Sequence, residues 1–229
     1  MNQPQMRRRE WMLHCSACVL TLAAAGATSA PVAAQGRTDA AGGAAPRRIL
    51  VLGDSLSAEY GLARGSGWVA LLDQRLRSQK LPAEVINASI SGDTTSGGRS
   101  RLPTLLKQHR PTHLIIELGG NDALRGLPLT MTRDNLKAMV QAGKDAGAKV
   151  LIIGMQIPPN MGASYARDFE GSFRTVAQDE KVALQPFLLA GIADRADMRD
   201  WFQGDGIHPL AKAHPLMLDN VWKVLRPML

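Results

Sequence analysis

Short apolar runs alternate along this chain with longer segments in which apolar residues recur every three or four positions. Ile49-Leu50-Val51-Leu52 is a continuous apolar run of strand length that stops at Gly53, as a strand buried on both faces does. Runs of similar character at Glu84 to Ile90, His113 to Leu118, Lys149 to Gly154 and Val182 to Gln185 predict four further strands. Helical stripes fall between them. Trp68, Val69, Leu72 and Leu76 predict a helix capped by Ser66 and closed before Pro82. Leu102, Leu105 and Leu106 predict a second, broken by Pro111, and Leu136, Met139 and Val140 a third over 130–146 that stops at Gly147. Phe169, Phe173 and Val176 mark a fourth, and a last helix is expected directly after Pro209 with Leu216, Val221 and Leu225. Strands alternating with helices predict an α/β fold in which a parallel sheet of about five strands carries helices on both faces.

The chain has 229 residues, 45% hydrophobic and 21% charged, the balance of a globular domain with one good core. Its first part does not belong to that core. Arg7-Arg8-Arg9 precede an apolar segment from about Trp11 to Ala27 and then small residues, the build of a secretory signal over 1–34. Cleavage is expected after Val32-Ala33-Ala34, since Pro31 spoils the earlier site at Ala30. The apolar run is interrupted by His14 and Ser16 and is short for a membrane span. Arg8-Arg9 also fits a twin-arginine signal, and both it and the ordinary secretory route lead to a periplasmic or secreted protein. Residues 35–46, rich in Ala and Gly, read as a flexible leader into a single domain over 47–229. Cys15 and Cys18 are the only cysteines and would leave with the signal, which excludes disulfides, a cysteine nucleophile and a zinc-cysteine site from the mature chain.

A net charge of +7 invites a nucleic-acid reading, but no basic helix, finger or aromatic-rich sheet motif accompanies it. No nucleic-acid partner is expected. A basic surface suits acidic substrates or transient contact with anionic lipid head groups instead. Gly65-Ser66-Gly67-Trp68-Val69-Ala70 matches the dinucleotide fingerprint in form only, because its glycines do not follow a strand directly. Neither a metal nor an organic cofactor is expected.

The polar punctuation is what points to chemistry. Ser55, Gly92 and Asn121 follow the first, second and third predicted strands, so a parallel sheet brings them to one carboxyl-end edge, where such folds bind ligands. A serine nucleophile needs a base, a group that fixes the base's tautomer, and donors for the oxyanion. In Asp205-Gly206-Ile207-His208-Pro209, His208 can take the proton and Asp205 can reach the other ring nitrogen. The N–H groups of Ser55 and Gly92 and the side-chain amide of Asn121 can supply the oxyanion donors. Asp54 reads as a structural acceptor for turn amides, and Asp122 as a support for the Gly119-Gly120-Asn121 loop. His109, His113 and His214 lack a partner at useful spacing and read as structural. The Gly-x-Ser-x-Gly elbow of the larger α/β-hydrolases is absent, since Ser57 stands where its last glycine would be.

Four blocks, Gly53-Asp54-Ser55-Leu56, Gly92, Gly119-Gly120-Asn121-Asp122 and Asp205-Gly206-Ile207-His208-Pro209, resemble in order those of the GDSL or SGNH hydrolases. Asn87 to Thr94, Glu117 to Gly126 and Pro158-Pro159-Asn160 are similar to the bacterial periplasmic thioesterase I, lysophospholipase L1 and arylesterase group. The resemblance implies a flavodoxin-like three-layer αβα sandwich and a serine esterase acting on acyl esters, thioesters or lysophospholipids. It further implies Ser55, Asp205 and His208 as triad and Ser55, Gly92 and Asn121 as oxyanion hole. Leu210 and His214 depart from the Asn and Gln of that group, which bears on acyl specificity. A carbohydrate O-deacetylase on the same scaffold is the rival enzyme, with few candidates for a sugar platform when aromatic residues are 4% of the chain. A non-enzymatic exported lipid carrier is the other rival; its mark would be a broken triad.

Overall fold

The run at Ile49–Leu52 becomes the middle of strand β1 (Arg47–Gly53), with all four of its side chains fully buried. Burying each such aliphatic chain contributes about 1.5–3 kcal/mol, which is why this segment sits inside the sheet and not at its edge. A computed structural model describes residues 47–157 and 161–229. The expected signal at 1–34, the leader at 35–46 and the Pro158-Pro159-Asn160 block lie outside the described residues. The remaining strands are β2 (Ala83–Asn87), β3 (His113–Glu117), β4 (Lys149–Ile153) and β5 (Ala183–Gln185). Their order is β2-β1-β3-β4-β5, and every pairing is parallel.

Helices α1 (Trp68–Ser78) and α6 (His214–Leu225) pack together on one side of the sheet. On the other lie α2 (Thr95–His109), α4 (Leu129–Asp145) and α5 (Ala163–Glu180), α4 between its two neighbours, while α3 (Gly120–Leu124) is a single turn after β3. Right-handed crossovers account for the division: the chain steps one way from β1 to β2 and the other way from β2 onward, so the connecting helices fall on opposite faces. This is the expected three-layer αβα sandwich. Reversal of direction between β1 and β3 opens a crevice at their carboxyl ends, the place where open parallel sheets bind ligands.

Most predicted stripes are the buried ones, including Trp68, Val69, Leu72 and Leu76 in α1 and Leu136, Met139 and Val140 in α4. Four expectations need correction. Ser66 does not cap α1; its hydroxyl donates to the Ala63 carbonyl, Gly67 holds the cap position, and the Trp68 N–H donates at 3.0 Å to Nδ1 of His214, 146 residues away. The second strand ends at Asn87, not Ile90: the Asn87 side chain bonds the Ser57 carbonyl and the Ser89 N–H, and beyond it the chain runs on beside β1 as irregular backbone, with the Ala88 and Ile90 N–H groups donating to the Val51 and Gly53 carbonyls; the Ile90 side chain is exposed. The last helix begins at His214 after a 3₁₀ turn at Ala211–Ala213, and its buried stripe includes Met217 and Leu218, with Leu216 only partly covered. Asp122 reaches beyond its own loop, accepting the N–H (2.8 Å) and the hydroxyl of Thr95, so it anchors the start of α2.

Candidate active site

Ser55 lies two residues past β1 in a turn closed by bonds from the N–H groups of Ser57 and Ala58 to the Asp54 carbonyl. Asp54 is buried and accepts the Leu56 N–H on Oδ1 at 3.0 Å, the structural part expected of it. The hydroxyl of Ser55 stands 2.9 Å from Nε2 of His208, and Nδ1 of His208 stands 2.7 Å from Oδ2 of Asp205. A single hydrogen-bonded line therefore joins residues 153 positions apart.

The loop that delivers His208 is clamped at its base. Phe202 and Pro209 form an antiparallel bridge, Gln203 N–H donates to the His208 carbonyl at 2.7 Å, and Leu210 N–H to the Trp201 carbonyl at 2.8 Å. At its tip, Oδ1 of Asp205 accepts the N–H groups of Ile207 (2.9 Å) and His208 (3.0 Å). These backbone and side-chain bonds from His208, with that from Ile207, hold the Asp205 carboxyl down at about 2. It stays ionised throughout the neutral range and fixes the Nδ1–H tautomer, leaving Nε2 free to accept the serine proton. The Tyr60 ring, inclined at 41° with its centroid 4.4 Å from the imidazole, packs on His208, and Gln203 donates to the Tyr60 carbonyl at 2.9 Å. The sequence carries no signal for this role of Tyr60: nothing local links a residue after the first strand to a histidine near the chain's end.

The oxyanion candidates meet at the same edge. Among the described residues, neither the Ser55 N–H nor the Gly92 N–H donates to a protein acceptor, so both remain available. Gly92 has φ +78°, a conformation that favours glycine, and an added Cβ there would meet only an Arg125 nitrogen at 3.9 Å. Arg125 donates to the Gly92 carbonyl at 2.8 Å and so braces this loop. Asn121 differs from the simple expectation: its amide nitrogen donates both to Oδ2 of Asp54 (3.1 Å) and to the Asp93 carbonyl (2.9 Å). Its donation to an oxyanion would have to share or replace one of these bonds.

Burial pushes the Asp54 carboxyl up to about 6, against the Leu56 N–H and the nearby His208 charge. Because the folded value lies above the unfolded one, the stability linked to this group is fully present below about pH 4 and is lost as pH rises through about 6. Denaturant titrations are expected to show wild type losing about 2 kcal/mol relative to Asp54→Asn over that interval. Parallel stability profiles for the two proteins would contradict it.

Comparison with known proteins places residues 51–216 in register with the GDSL-like Lipase/Acylhydrolase family. Esterase TesA of Pseudomonas aeruginosa is 48% identical over 186 residues, covering 81% of this chain and 91% of the relative. Thioesterase 1/protease 1/lysophospholipase L1 of Escherichia coli K12 is 40% identical over 185 residues, covering 81% and 86%. Among solved structures, psychrotrophic esterase EstA from Pseudoalteromonas sp., inhibited by monoethylphosphonate, superposes with a TM-score of 0.75 at 40% identity, covering 80% of this chain and 98% of its own.

Proposed function

Since this chain belongs to the GDSL-like lipase/acylhydrolase family, we propose that it is a serine esterase that forms an acyl-enzyme on Ser55 from acyl esters, thioesters or lysophospholipids. The observation that carries the assignment of residues is the line Ser55, His208, Asp205, with bonds of 2.9 and 2.7 Å. As Ser55 Oγ attacks the acyl carbonyl, Nε2 of His208 takes its proton and Asp205 stabilises the imidazolium. The oxyanion is met by the N–H groups of Ser55 and Gly92, with Asn121 as third donor. Collapse passes the proton from His208 to the leaving alcohol or thiol. A water deprotonated by the same nitrogen then releases the acid and restores the serine.

Five of the six large hydrophobic residues exposed among the described residues, Tyr60, Ile90, Leu124, Ile207 and Leu210, flank these groups in sequence. Exposed apolar side chains at these positions support acyl substrates of lipid type and transient contact with a membrane surface, and the sequence signal supports action outside the cytoplasm. The test is hydrolysis of p-nitrophenyl esters from acetyl to palmitoyl, beside an acetylated sugar, by the mature protein. Turnover that rises with acyl length is expected. Preference for the acetylated sugar would replace the substrate assignment with deacetylation, and no turnover of any ester would remove it.

A further inference from the structure

Beneath the turn that carries Ser55 lies a carboxyl that the triad does not use. Glu117 ends β3 in register with Gly53 of β1 and is fully buried. A Cβ on Gly53 would stand 2.8 Å from Glu117 Oε2, so glycine is what leaves room for the acid to reach the turn. That oxygen accepts the Ser57 hydroxyl at 2.7 Å and the Asp54 N–H at 3.3 Å.

Two donors in this cluster are fixed. Trp68 Nε1 can only donate, and it does so to the Ser57 oxygen at 3.1 Å, which leaves that hydroxyl a proton and a second lone pair to share with Glu117. Oε2 also accepts the Asp54 N–H. Among the described residues Oε1 is buried without a hydrogen-bond partner. Asp54, by contrast, accepts N–H groups on both oxygens, from Leu56 and from Asn121. The charged groups acting on the pair are Asp93, from the loop after β2, and His208, from the C-terminal loop, and both act on Asp54. Among the described residues no cation stands against Glu117, and two adjacent buried carboxyls without one are not both ionised. Burial first, and then the charge of Asp54, hold the Glu117 carboxyl well above its ordinary range.

We propose that Glu117 is a positioning residue: as a neutral acid bonded to Ser57 and set against Asp54, it fixes the turn carrying Ser55 and leaves Asp54 as an acceptor that orients the amide of Asn121. The inference rests on the assignment of Ser55 and Asn121 given above. It goes beyond that assignment by giving a buried acid a defined protonation state and a route to the oxyanion site.

The experiment compares the wild-type chain with Glu117→Gln and Glu117→Met at pH 8. Gln keeps an oxygen acceptor for Ser57 and Asp54 and puts N–H in place of O–H; Met fills similar volume and offers neither. In the infrared, wild type is expected to show the C=O stretch of a protonated carboxyl, and Glu117→Gln to lack it. The kcat of Glu117→Gln is expected within about threefold of wild type, and that of Glu117→Met about 10- to 100-fold lower with KM little changed. Absence of the protonated band in wild type, its persistence in Glu117→Gln, a Gln variant as slow as Met, or a Met variant as fast as wild type would each overturn the proposal. If Glu117→Met does not fold, the infrared band and the Gln rate decide. Ser55→Ala run alongside keeps the two readings apart, because its activity tests the nucleophile while the infrared band needs no turnover.

Discussion

Ser55→Ala is expected to lower kcat on acyl esters by about 10⁴-fold or more, with KM nearly unchanged. Removing the hydroxyl deletes the bond-forming atom and nothing else at the surface of the site. The Ser55 and Gly92 N–H groups, neither engaged by a protein acceptor among the described residues, stay in place to polarise a carbonyl, so a residual rate above the uncatalysed one is expected. A phosphonate that modifies serine nucleophiles should add one adduct mass to the wild-type chain and none to the variant. Retention of wild-type turnover by Ser55→Ala would remove the nucleophile assignment and, with it, the acyl-enzyme.

His208→Ala is expected to cost about as much as Ser55→Ala, and the double variant no more than either, because a nucleophile without its base is nearly as inert as no nucleophile. Asp205→Ala should be milder, retaining about 10²-fold more activity than His208→Ala. The reason is in the geometry. Removing Asp205 loses the bond to Nδ1 and the two turn bonds to the Ile207 and His208 N–H groups, but the loop base at Phe202 and Pro209 and the Tyr60 ring still hold the imidazole near the serine. Steady-state kinetics on one p-nitrophenyl ester with all four proteins checks the ranking. Costs that multiply in the double variant would show that Ser55 and His208 do not act as one unit.

Much of the fold could be read from periodicity alone. Continuous apolar runs became the buried stretches of the central strands, as at Ile115, Ile116, Leu151 and Ile152, because only a strand covered on both faces needs no polar alternation. The misreadings share one cause. Ser66 has the chemistry of a helix cap, yet a histidine from α6 serves the Trp68 N–H, and burial holds that imidazole's pKa down so that its Nδ1 can accept. Ile90 has strand propensity and its N–H still reaches the Gly53 carbonyl, yet regular strand stops three residues earlier, where the Asn87 side chain bonds the Ser57 carbonyl. Local preference is worth less than about 1 kcal/mol per residue, and a long-range bond to a buried group outweighs it.

The sequence by itself determined the layers of this protein and the edge at which its chemistry collects: strand-length apolar runs, each followed by Ser55, Gly92 or Asn121, leave few other arrangements of a parallel sheet. Only the tertiary structure decided how those groups are held. The packing of Tyr60 on His208, the engagement of both Asn121 donors and the burial of Glu117 beneath the nucleophile turn depend on residues brought together from distant parts of the chain. No local pattern encodes such contacts, because hydrogen-bond direction and the cost of a buried charge are set by neighbours that exist only after folding.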